Sequence, residues 1–148
     1  MSYQERRAIV SFISTILISA IYSAFMVQRY PEGNPYSADI FRFWGYFFMI
    51  LIPVSIVARI FIRILFNITN RIATKDKEPS ITDERDRLIG FKATRNTFYV
   101  FTFGFLLAMG ALIIEMPPTS MFIILFCSGI VSEMVGDISQ LYFYRRGI

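Results

Sequence analysis

Glu133 and Asp137 stand four residues apart in a stretch that is otherwise strongly apolar. On a helix that spacing places both carboxylates on one face, one turn apart. Gly129, Ser132, Gly136 and Gln140 fall on the same face at a 3.6-residue period. A carboxylate inside a membrane span costs about 2.5–3.5 kcal/mol on insertion scales, so it must face a partner or a cavity. The chemistry open to such a face is ion pairing, or the binding and release of a proton or cation. Counter-charges are at hand in Arg59 and Arg63, four apart near the end of another apolar stretch. Counted from Ile40, Arg59 lies about 28 Å along its helix; counted from Thr119, Asp137 lies about 27 Å along its own. This matching depth predicts an Arg59–Asp137 ion pair, with Glu133 one turn nearer the bilayer centre and less well compensated. Two readings follow. In one, Asp137 pairs with Arg59 or Arg63 and Glu133 bonds to a Ser or Thr of the first helix, which fixes helix register. In the other, Glu133 is a proton- or cation-binding site beside an ionised Asp137.

The elements that would position these groups are four long apolar stretches, spanning about 8–28, 40–66, 95–115 and 119–144. Each exceeds or approaches the roughly 20 helical residues that cross a hydrocarbon core. With 55% hydrophobic and only 18% charged residues in 148, the chain is too apolar for an ordinary soluble domain. Its remaining segment is too short to bury a core of its own. The expected fold class is all-α: a polytopic membrane protein with one domain, residues 1–148, of four transmembrane helices in two hairpins. A cytoplasmic linker is expected over about 67–80, and the third helix extends into the cytoplasm, starting near Pro79. The first stretch is as long as a full span and lacks a convincing cleavage site, so it is read as a retained helix.

All Lys and Arg except Arg29 and Arg42 fall at the ends carrying the two termini and the central segment. The positive-inside rule then places both termini in the cytoplasm, with the chain read as a multi-pass protein of the inner, cytoplasmic membrane. The excess of basic residues is accounted for by topology and anionic lipid, not by nucleic acid.

Local signals agree with this plan. Ser11, Thr15, Ser19 and Ser23 form a small-residue stripe suited to close helix packing. Pro53 falls mid-helix, where it should kink the second span. Tyr30-Pro31-Glu32-Gly33-Asn34-Pro35 and Pro117-Pro118 mark turns. Asp83, Glu84 and Asp86 load the first turns of the third helix with the charge its amino end favours.

The run Asp83-Glu84-Arg85-Asp86-Arg87-Leu88-Ile89-Gly90-Phe91-Lys92-Ala93 resembles the D-E-R-x-x-x-I-x-x-K-A signature of small, uncharacterised, multi-span prokaryotic membrane proteins. The signature positions are Asp83, Glu84, Arg85, Ile89, Lys92 and Ala93, about a tenth of the chain. The resemblance implies an integral membrane protein of a bacterium or archaeon, with neighbouring helix-turn-helix regulators that suit an accessory role. It carries no activity. Physically, a charged collar at the membrane surface suits docking to a protein or to anionic lipid, or simply orients the helix that follows.

There is no histidine, and Cys127 is the single cysteine. Histidine metal ligation, histidine bases and paired-cysteine sites are thereby excluded. No Gly-rich phosphate loop or activated nucleophile is evident, so no cofactor and no enzymatic activity are expected. The leading expectation is an accessory or regulatory membrane protein that works by association, with the bilayer and a homo-oligomer or a protein partner as its contacts. The alternative is a small homo-oligomeric transporter or channel with Glu133 as the coupling carboxylate.

Overall fold

The computed structural model describes residues 3–74 and 84–147, and among them the regular structure is entirely helical. Four helices follow in chain order: α1 (Tyr3–Val27), α2 (Ala38–Thr74), α3 (Glu84–Ile113) and α4 (Pro118–Arg146). All four are long and apolar enough to cross a membrane, which fits a multi-pass membrane protein. The predicted start of the third helix at Pro79, and the residues 75–80 of the expected linker, lie outside the described residues.

One boundary differs from expectation. Residues 67–74, read as the start of a linker, continue α2. Asn67 and Asn70 look like loop residues, yet both are used inside the fold. The Tyr3 hydroxyl donates to Asn67 Oδ1 at 2.7 Å, and Asn70 is buried. Tertiary contact to α1 thus outweighs the weak helix propensity of asparagine. Pro53 lies within α2 without interrupting the helix.

α4 is the centre of the bundle. It packs most extensively on α3, then on α1, while α2 meets α1 and α4 more sparingly. The α3–α4 contact depends on small residues: Ala93, Gly104, Ala108 and Ala111 are all buried on α3. A Cβ at Gly104 would overlap the Ser128 side chain, and one at Gly136 would overlap Thr97 Oγ1. Without a hydrophobic drive between helices in lipid, close approach of this kind supplies the packing attraction. Asn96 adds a hydrogen bond from its side-chain nitrogen to Ser139 Oγ at 3.0 Å.

The turn between α3 and α4 is a Schellman motif. Met116 N donates to Ala111 O at 3.0 Å, and Glu115 N to Leu112 O at 3.1 Å. Glu115 takes the left-handed conformation at φ 59°, and Pro118 then opens α4.

Contacts along the helices define two ends. At the loop end, Tyr30 beyond α1 bonds through its hydroxyl to Thr119 Oγ1 at 2.8 Å. At the opposite end, here the terminal end, Tyr3 meets Asn67 and the Tyr144 hydroxyl bonds to Asp86. Near the loop end, Tyr22, Met26, Ile40, Trp44 and Phe47 form the hydrophobic core, with Phe122 and Phe126 of α4 packed against it. Trp44 stacks on Phe122 with ring centroids 5.4 Å apart, and Phe126 meets Phe47 edge-on at 5.1 Å. These are favoured aromatic geometries.

Candidate functional site

The carboxylate face of α4 turns inward, toward α1 and α2. Arg59 of α2 forms an ion pair with Glu133, not with Asp137 as the matching depth predicts. The guanidinium also reaches Thr15 Oγ1 of α1 at 3.5 Å. Asp137 instead hydrogen-bonds to the side chain of Ser11, another α1 residue. The two carboxylates have therefore exchanged the partners expected for them. The reason is side-chain direction. α2 and α4 both run from the loop end to the terminal end, and helical side chains lean toward the amino end of their helix. The long Arg59 side chain leans farther than the short Asp137 side chain. A guanidinium rooted at the level of Asp137 arrives one turn closer to the loop end, where Glu133 stands.

This pair lies between two cavities. The first, of about 550 Å³, opens on the terminal side among α1, α2, α4 and the start of α3; it is lined by Arg59, Arg63, Asp137 and Gln140. The second, of about 440 Å³, lies toward the loop end and is lined by Thr15, Ser19, Phe48, Phe122, Phe126 and Glu133, and again by Arg59. Arg59 is common to both walls. Glu133 faces one cavity, and Asp137, one turn away, faces the other. The pair is not sealed from its surroundings, since its side chains are 40% and 42% exposed. Toward the loop end the second cavity borders the aromatic core, whose Phe48, Phe122 and Phe126 line it.

The structure thus brings all five predicted intramembrane residues, Glu133, Asp137, Arg59, Arg63 and Gln140, to the walls of two adjoining cavities. It treats the signature residues differently. Ile89 and Ala93 are each 1% exposed and pack α3 into the bundle. Lys92 lies over the Phe143 ring, 5.7 Å from its centroid. Glu84 and Arg85 stand exposed at the start of α3, and Asp83 lies outside the described residues. The small stripe of α1 is likewise used within the chain. Thr15 is buried, Ser11 holds Asp137, Ser19 lines the second cavity, and Ser23 donates back to Ala20 O of its own helix.

Gln4, Arg7, Asp86 and Tyr144 also line the first cavity, and their sequence positions alone do not single them out as site residues. Each sits near a helix end, where a polar residue is expected at the headgroups anyway. Only the packing of three helix ends against one another turns them toward a common space. No family model, curated protein or solved structure matches this chain.

Proposed function

We propose that the protein is a non-enzymatic membrane protein that conducts or exchanges a proton or small cation, with Glu133 as the coupling carboxylate and Arg59 as its gate. One observation carries this reading: the Arg59–Glu133 pair lies between a polar cavity and a largely apolar one, with Arg59 in the wall of both. A proton arriving through the terminal-side cavity meets Asp137 first. Transfer to Glu133 neutralises that carboxylate and frees Arg59 to turn to Asp137 one helical turn away. The barrier between the cavities opens as the pair breaks and reforms as the proton leaves. Intramembrane carboxylates commonly serve such relays.

The basic residues then set the direction. The terminal end faces the cytoplasm, both termini lie there, and the helices form two hairpins in the cell membrane of a prokaryote. Four helices make a thin wall for a pathway, so a homo-oligomer completes it. The accessory reading has less support, because the seams of α1 and α4 and the signature residues Ile89 and Ala93 are packed within the chain.

The test is dissipation of a pH gradient by proteoliposomes containing the purified protein. Wild type should dissipate the gradient faster than empty vesicles, and Glu133→Gln should fall to the empty-vesicle rate while keeping its helical content and oligomeric size. An unchanged rate in Glu133→Gln rules the reading out.

A further inference from the structure

The terminal-side cavity holds an unusual arrangement of charge. Arg63 and Asp137 both line it, yet they are not joined by an ion pair. Among the described residues, no hydrogen bond or ion pair engages Arg63. Asp137 has the Ser11 hydroxyl as its hydrogen-bond partner and feels the Arg59 guanidinium only at a distance, since Arg59 is paired with Glu133. Arg63 is exposed at the mouth of the cavity and Asp137 lies deeper in it, so the two opposite charges line one cavity without neutralising each other directly. The group that satisfies both at once carries the inverse pair, an anion for Arg63 and an ammonium donor for Asp137.

The wall of the cavity adds a second requirement. Ile56 and Ile60 of α2 line it and are 53% and 55% exposed. The polar interior therefore opens over an apolar lip. Counted from Ile40 as for Arg59, Arg63 lies about 34 Å along α2, past a hydrocarbon core of roughly 30 Å and thus near the phosphate level. A volume of about 550 Å³ falls within the range of small-molecule sites.

We propose that this cavity binds a zwitterionic headgroup carrying a phosphate and a primary ammonium, supplied by an ethanolamine phospholipid whose acyl chains lie over Ile56 and Ile60. The phosphate accepts paired hydrogen bonds from the Arg63 guanidinium. The ammonium donates to Asp137, which a quaternary ammonium lacks the N–H groups to do. This site rests on the cavity alone; a headgroup bound there occupies the proton's way to Asp137, so lipid binding and proton transfer would compete and each is tested without the other.

The experiment uses the full chain, purified in detergent and stripped of lipid. Its thermal midpoint is measured with added phosphatidylethanolamine, phosphatidylcholine, phosphatidylglycerol or soluble phosphoethanolamine. At about 100 times its Kd, phosphatidylethanolamine should raise the midpoint by roughly 5 °C or more. Phosphatidylcholine and phosphatidylglycerol should raise it far less. Arg63→Gln, on an exposed position that tolerates change, and Asp137→Asn should each lose the preference. An equal rise with soluble phosphoethanolamine upholds the zwitterion and assigns it to a soluble source. Equal rises with all three lipids, no rise with any addition, or a preference that survives both substitutions overturns the proposal. Should a variant lose its thermal transition, mass spectrometry of the lipid that co-purifies with it decides between the same outcomes.

Discussion

The two halves of this bundle use the same helices for opposite ends. Toward the loops, Tyr22, Trp44, Phe47, Phe122 and Phe126 interlock α1, α2 and α4 through ring contacts 5.0–5.4 Å between centroids. Toward the termini, the same three helices are held by Arg59, Glu133, Asp137 and Ser11 around open space. Aromatic rings need only shape to fit, so they close the interior. Charges need partners and solvation, so they keep it open. The difference teaches where to look for activity: the loop half holds the helices together, and the terminal half has the room and the titratable groups to work.

Substitutions can break that contrast. The largest effect on stability is expected from Arg59→Leu, which strands Glu133 in an apolar setting. The insertion scale would give about 3 kcal/mol, reduced to roughly 2–3 kcal/mol because the pair is partly exposed. The double variant Arg59→Leu/Glu133→Leu should recover most of the loss in a reversible unfolding titration. If it does not, the pair is more than an electrostatic tie.

Trp44→Ala comes next. Large aromatic truncations in soluble cores cost about 3–5 kcal/mol, but lipid removes much of the transfer contribution, leaving about 2 kcal/mol of lost packing. The same titration should show the loss, while Glu133-dependent flux per folded molecule stays near wild type. Lost flux in a well-folded Trp44→Ala protein would show that the loop half takes part in transport.

Smaller effects should separate two glycines on the α3–α4 contact. A Cβ at Gly104 would overlap both Cβ and Oγ of Ser128, whereas at Gly136 the overlap is with the Thr97 hydroxyl alone. A hydroxyl can rotate away; a Cβ cannot move without its helix. Gly104→Ala is therefore expected to cost about 1–2 kcal/mol and Gly136→Ala less, both read from unfolding midpoints. The reverse order would contradict the packing described for this contact.

Much of the architecture was legible because length and hydropathy suffice to mark a span. The end of α2 was not, because the apolar run stops near Phe66 and the contact from Tyr3 to Asn67 that accompanies the longer helix is made across two helices. For the site, the residue types at Arg59, Glu133 and Asp137 identified the participants, and period 3.6 put the carboxylates on one face. The pairing failed because depth was counted between Cα positions, while a guanidinium acts about one turn away from its own Cα. Gln4, Arg7 and Tyr144 stayed hidden for another reason. Their meeting depends on how the ends of α1 and α4 converge, which no spacing within one helix encodes. The small buried face of α3, Ala93 to Ala111, follows a helical period, but small residues alone do not specify which helix they meet.

The central claim is that the Arg59–Glu133 pair separates the two cavities, and accessibility tests it most directly. Ser19 lines the cavity beyond the pair, so Ser19→Cys in a Cys127→Ser background reports whether a charged thiol reagent passes it. With reagent added on the terminal side, Ser19→Cys should react slowly while the pair is intact. It should react many-fold faster when Arg59→Gln removes the pair. Equal labelling rates with and without Arg59 would contradict the claim and leave the pair as a structural tie.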